Sequence, residues 1–201
     1  MPKEKSAEPR KFKLTLPEAE AAYITTRYAE AEVILEYGSG GSTFVAAEVA
    51  KRKVFSVESD KKWAADLSAS VRYHFPDKDV QVHHADIGPT KEWGHPKSAA
   101  SFRNFSDYPL SVWDRPDFEQ PDMVLIDGRF RPACFLTVLF KSTKPVTVLW
   151  DDYIDRPAYH EVEDLAKPVE MIGRMARFEL TPMTIPVDKL HWVVKSYFRA
   201  H

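Results

Sequence analysis

The chain has a single cysteine, Cys134, so no internal disulfide can form and stability has to come from a packed core. That thiol usage suits a reducing, cytoplasmic setting. No apolar run approaches the roughly 20 residues that cross a bilayer, so no membrane partner is expected. The N-terminus, MPKEKSAEPRKFK, is charged and has no apolar centre, unlike a secretory signal. Nor is one charge in surplus: 28 Lys and Arg stand against 30 Asp and Glu, for a formal net charge of -2. The basic residues are scattered, which makes no strong case for a nucleic-acid partner. There is no internal repeat and no low-complexity tract. The histidines show no metal-ligand spacing; His83 and His84 are neighbours in a strand pattern and point to opposite faces. What remains is an ordinary globular composition, 44% hydrophobic and 29% charged over 201 residues, enough for one domain with a substantial core.

Residues 1–13 read as a flexible basic tail and 14–201 as a single domain. A helix is expected from Pro17 to about residue 29, with Pro in the first turn and acids after it. Strand patterns at 33–37, 53–57 and 80–84 alternate with helical patterns at 44–51 and 60–75, the latter capped by Asp60. The rhythm then breaks. Residues 87–120 are polar, aromatic and proline-containing, and read as a long inserted loop. Beyond it come strands at 122–126 and 146–150, helices at 132–141 and 157–166, and three strand patterns at 169–172, 176–180 and 190–198. This order predicts an α/β fold: one doubly wound, mostly parallel sheet, helices on both faces, and an antiparallel C-terminal strand pair. Ligands of such sheets bind outside the C-terminal ends of the strands. Each expected parallel strand ends at or near an acid: Glu36, Glu58, Asp86, Asp127 and the Asp151-Asp152 pair.

The stretch VILEYGSGGSTFVAAEVA, residues 33–50, joins a buried strand to a helix through Gly38, Gly40 and Gly41. A phosphate-cradling loop needs Lys after its last Gly, and Ser42 stands there. A nucleophile elbow needs Gly where Phe44 stands. A dinucleotide fingerprint needs a final Gly where Thr43 stands. The pattern Glu36-x-Gly38-x-Gly40, with Ser42 at a place where a third Gly is usual, resembles motif I of the class I S-adenosylmethionine-dependent methyltransferases. The resemblance runs from about residue 16 to 198. It implies a Rossmann-like fold and an S-adenosylmethionine site made by Glu36, Gly38, Gly40 and Ser42. Glu58 would accept from the ribose diol. Asp86, with Ile87 beside it, would meet the adenine.

Methyl transfer asks the protein mainly for orientation and for removal of a proton from the acceptor. Asp127 and Asp152, at the ends of the fourth and fifth strands, are the candidate catalytic acids. Asp127, Asp151 and Asp152 together resemble the metal-dependent O-methyltransferase branch, which implies Mg²⁺ held against an acceptor oxygen. Arg129, Arg131 and Arg156 follow the same two strands and precede helix starts, a setting suited to a carboxylate or phosphate. The expected reaction is methyl transfer to a small anionic acceptor at oxygen. Two other readings stand beside it. One is an NAD-dependent oxidoreductase, since Glu58 also lies about 20 residues past the glycines, although no Tyr-x-x-x-Lys pair accompanies it. The other is a nucleotide-cofactor-binding module without catalysis. Trp93 is a candidate to stack on adenine, the aromatics of 87–120 are either a lid or an anchor, and Cys134 is expected in the core.

Overall fold

The computed structural model describes residues 8–200. In chain order its elements are α1 (Glu18–Glu30), β1 (Val33–Tyr37), α2 (Gly41–Val49), β2 (Lys53–Glu58), α3 (Lys61–His74) and β3 (Asp79–His84), then α4 (Asp107–Leu110), β4 (Met123–Ile126), α5 (Arg131–Lys141), β5 (Val146–Trp150), β6 (Glu170–Ile172), β7 (Met175–Leu180) and α6 (Leu190–Ser196). They build one seven-stranded sheet in the order β3-β2-β1-β4-β5-β7-β6. The first five strands are parallel. β7 runs antiparallel to β5, and β6 antiparallel to β7. β1, β4 and β5 are buried along their whole length, as strands covered on both faces must be.

Alternation along β1 shows how the two faces are filled. Val33, Leu35 and Tyr37 join the core beneath α5, while Ile34 packs with Ile24 and Tyr28 of α1 and Ala46 of α2. α3 extends the second face through Leu67 and Val71, which meet Ala47 of α2. On the first face an aromatic cluster closes the sheet end. Phe135 lies 4.8 Å from Phe178, and Trp150 lies 5.0 Å from Tyr159 between ring centres. Cys134 is fully buried there, as expected of a core thiol.

The structure corrects two expectations. Residues 190–198 are not a strand but the helix α6. Trp192, Val193 and Ser196 lie on its inner side, a helical spacing, and just past its end the Tyr197 hydroxyl is 2.9 Å from Thr137 Oγ1 on α5. Residues 157–164 are helical as expected, in 3₁₀ form. Part of the expected tail is held in place. Its first seven residues lie outside the described ones, but Phe12 is 7% exposed and packs with Ala47, Leu67 and Val71 on α2 and α3. The Arg10 carbonyl accepts from Ser70 Oγ at 2.7 Å. The long segment after β3 carries short helical turns, and its Phe105, Tyr108 and Val112 are buried in the core while Trp93 is 84% exposed. Its C-terminal half is therefore an anchor. Among the described residues no helix is long and apolar enough to cross a membrane.

Candidate active site

The turn after β1 and the turn after β4 touch. A Cβ on Gly38, where φ is +103°, would lie 2.7 Å from the Gly128 nitrogen and 2.9 Å from the Asp127 carbonyl carbon. Glycine is required there both by the backbone and by the contact, and the contact brings Asp127 beside the glycine turn. Gly41 meets a different neighbour: its Cβ would lie 2.3 Å from Lys13 and Leu14 backbone atoms. Gly40 is the open one. A Cβ there would have only Trp63 near it, at 4.0 Å, and would occupy space in the cavity that the turn lines.

Glu36 holds this turn from behind. It is fully buried and does not line the cavity. Its carboxylate accepts from Tyr28 Oη at 2.9 Å, Thr43 Oγ1 at 2.6 Å and Ser56 Oγ at 2.9 Å. Burial raises its pKa, and the hydroxyl donors offset part of the rise. The structure thus gives Glu36 a supporting place rather than a direct ligand contact, whereas Ser42 does line the cavity.

The cavity lies at the C-terminal ends of the strands and has a volume of about 1090 Å³, at or above the top of the range for a single small-ligand site. A second cavity, of about 330 Å³, sits at the opposite end between Arg27, Asp122 and Glu179, away from the strand ends where this sheet type binds ligands. Glu58 lines the large cavity. Its Oε1 accepts from Ser59 N at 2.7 Å and Asp60 N at 2.8 Å, which fixes the carboxylate. Asp86 and Ile87 do not line it. Asp86 is exposed and accepts from Gly88 N at 2.9 Å in its own turn, and Ile87 is fully buried in the core. Lys91 to Gly94 takes the place expected for them on the wall.

Sequence reasoning also missed the strap formed by residues 10–16, which closes one side of the cavity. Phe12 is its anchor, edge-on to Trp63 at 5.0 Å, and Arg10 lies 4.3 Å above the Phe12 ring and 4.7 Å from the Trp63 ring. Trp63 in turn donates to the Ser39 carbonyl at 2.8 Å, which ties strap, α3 and glycine turn together. Phe12→Ala should cost the strap about 3 kcal/mol and multiply its opened population about a hundredfold. Tryptic cleavage at Arg10, Lys11 and Lys13 should accelerate accordingly with little change in Tm. Unchanged cleavage would mean that Phe12 is not what holds the strap.

Beyond the glycine turn lies the acidic edge. Oxygens of Asp127, Asp151 and Asp152 fall within 4.8 Å of one another, the convergence expected from the strand ends. Asp127 lines the cavity, with its side chain 34% exposed. Burial, then the charges of Asp151 and Asp152, push its pKa up to about 7 against the opposing pull of Arg131. Its neighbours are already paired. Arg174, on the turn between β6 and β7, grips Asp151 with Nε at 3.0 Å and Nη2 at 2.7 Å. Asp152, at a positive φ of 55°, is met by Arg156 at 2.8 Å, Arg174 at 3.1 Å and Arg131 at 3.3 Å. This corrects two substrate-binding expectations. Arg131 is 2% exposed and spent on its own chain, and Arg156 is committed to Asp152 and does not line the cavity. Asp152, surrounded by three guanidinium groups, is poorly placed as a base. Arg129 differs: it lines the cavity and has no carboxylate partner among the described residues. Its Nη1 lies 2.6 Å from His95 Nε2, its Nε is buried without a hydrogen bond, and burial together with Arg131 lowers its pKa.

Among solved structures, a methyltransferase-like protein of Silicibacter pomeroyi is 46% identical to this chain, covers 94% of it and 98% of itself, and superposes with a TM-score of 0.90. The chain belongs to the class I S-adenosylmethionine-dependent methyltransferases. More distant members of this methyltransferase fold include the O-methyltransferase of Bacillus cereus in complex with S-adenosylhomocysteine, at 14% identity, TM-score 0.57, and coverage of 83% of this chain and 82% of that one. The tRNA (m1A58) methyltransferase of Aquifex aeolicus is 13% identical with a TM-score of 0.51, over 86% of this chain and 72% of that one. At such identities they show the fold alone. No protein-family model and no curated protein matches the sequence. Membership of this methyltransferase family displaces the oxidoreductase reading. The methyl donor also fits this chain's own geometry: Gly40 leaves the turn open, the α2 N-terminus faces the cavity, and Glu58 is fixed on its wall. A divalent metal fits the carboxylate trio poorly, because arginine side chains contact all three aspartates and offset the charge that would attract it.

Proposed function

We propose that this methyltransferase methylates an oxygen of a small anionic acceptor. The observation that carries the reading is the pairing, on one cavity wall, of Asp127 at the end of β4 with Arg129, which has no carboxylate partner among the described residues; burial and the neighbouring aspartates push the Asp127 pKa up to about 7. S-adenosylmethionine, when bound, supplies an electrophilic methyl group. Glu58 would hold the ribose hydroxyls, and Gly40 and Ser42 would let the rest of the donor lie against the turn. Asp127 extends β4, its N–H donating to the Tyr37 carbonyl at 2.9 Å, so the sheet itself aims the carboxylate. A base with a pKa near 7 is well matched to taking a hydroxyl proton at neutral pH. Arg129, at the same mouth, would hold an acceptor carboxylate or phosphate. The strap and Trp93 line the same cavity.

The test pairs acceptors that differ only in charge, such as hydroxy acids and their amides, with methyl-labelled S-adenosylmethionine. The acids are expected to be methylated and the amides to be poor. Arg129→Gln should raise KM for the acids about tenfold, the worth of one charged hydrogen bond, and leave S-adenosylhomocysteine affinity unchanged. An equal loss in cofactor affinity would assign Arg129 to the donor instead. A protein that binds the donor but methylates nothing across the series would favour a binding module.

A further inference from the structure

Three carboxylates with oxygens within 4.8 Å of one another carry a repulsion that something must offset. A hard divalent ion is one solution. This chain contains another. Arg131, in the first turn of α5, has a side chain only 3% exposed and points into the trio. Its Nε donates to the Gly128 carbonyl at 2.9 Å, Nη1 to the Asp151 carbonyl at 2.6 Å and Nη2 to the Asp127 carbonyl at 2.9 Å. Nη2 also lies 3.1 Å from Asp127 Oδ1 and 3.3 Å from Asp152 Oδ2. All three guanidinium nitrogens are thus engaged, Nη2 most heavily, with one carbonyl and two carboxylate oxygens around it. Arg174 and Arg156 sit on the outer side, with side chains 36% and 41% exposed, and could swing into solvent. Arg131 has no such route, because the helix and both strand ends enclose it.

We infer that Arg131 is a resident cation standing in the place of a divalent ion, and that the Asp127–Asp151–Asp152 trio is closed to metal. Three guanidinium groups against three carboxylates leave no net negative charge to attract a doubly charged ion. Asp151 has both oxygens in the fork of Arg174, and Asp152 has both oxygens contacted. The inference rests on the placement of this trio beside the methyl-transfer cavity, but its test needs no turnover, so failure of either is seen separately.

The test is a Mn²⁺ titration of the full-length protein, with and without S-adenosylhomocysteine, read by electron paramagnetic resonance, with Asp152→Asn in parallel. The expected result is no micromolar binding that depends on Asp152. Micromolar binding abolished by Asp152→Asn would overturn the inference; binding unaffected by that change lies elsewhere and leaves the trio closed. Arg131→Met, checked for folding by circular dichroism, should gain Mn²⁺ affinity about tenfold or more, because it uncovers the carboxylates. A folded Arg131→Met protein with no gain would show that Arg131 is not what excludes the metal. If that variant does not fold, the wild-type and Asp152→Asn titrations decide alone.

Discussion

Glu58→Ala is expected to lower the affinity for S-adenosylhomocysteine about a hundredfold or more while leaving the fold intact. A carboxylate accepting from two vicinal hydroxyls makes two charge-assisted hydrogen bonds, each contributing about 1.5–3 kcal/mol. Taken at the low end, the pair amounts to about 3 kcal/mol, or about two decades in the binding constant. The expectation is strong because the side chain is already fixed by the Ser59 and Asp60 N–H groups at 2.7 and 2.8 Å, so little ordering remains to be done on binding. Those donors border the cavity, and water can replace the lost acceptor, which is why stability should change little. Burial raises the Glu58 pKa, and main-chain donors restrain the rise. The proposed contact with the ribose hydroxyls needs the charged form. Affinity should therefore be full above that raised value and fall as pH drops through it, beginning at a higher pH than an ordinary glutamate would show. Calorimetric titration over a pH series, with NAD as a comparison ligand, reads both effects. Wild-type affinity in Glu58→Ala would remove Glu58 from the donor site.

The parts of this molecule that could be read from its sequence are those set by local chemistry. A strand that ends in Glu36-Tyr37-Gly38 and restarts as a helix at Gly41 announces itself through glycine and apolar runs, and so do the acids closing β2, β4 and β5. The parts that escaped depend on what folds back from a distance. Residues 190–198 carry Trp192, Val193, Val194, Tyr197 and Phe198, which favour strands, yet packing on α5 selects the helix. The strap is irregular, and only the docking of Phe12 on two helices far along the chain reveals that it is ordered. Asp86 follows its strand as expected, but Gly88 turns the chain so that Lys91 to Gly94 reaches the cavity. At the acidic edge the three aspartates were visible and their partners were not. Arg174 lies in a hairpin turn 23 residues beyond Asp151, and nothing local marks it as that residue's counter-ion. The same distance effect altered the roles of Arg131 and Arg156, whose positions suggested an anion from outside and whose charges are met by the chain's own carboxylates.

Asp127→Asn is expected to lower kcat about 10²–10⁴-fold, the usual contribution of a positioned general base, with S-adenosylhomocysteine affinity within about twofold of wild type. The substitution keeps the shape of the side chain and the backbone bond to Tyr37, so the cavity wall should stay in place. The pH dependence is the sharper readout. A base works as its deprotonated form, so wild-type kcat/KM should rise with pH and level off above about 7, the value to which burial and the neighbouring aspartates push Asp127. The rising limb reflects loss of that proton and should vanish in Asp127→Asn, leaving a low, flat profile. Arg174→Gln offers an independent handle on the same limb. It leaves Asp151 and Asp152 less well neutralised, which disfavours the charged form of Asp127, so the limb should move to higher pH. An Asp127→Asn protein that keeps both its rate and its rising limb would place the base elsewhere. The acidic edge would not readily supply it, because Asp151 and Asp152 are already bound by guanidinium groups.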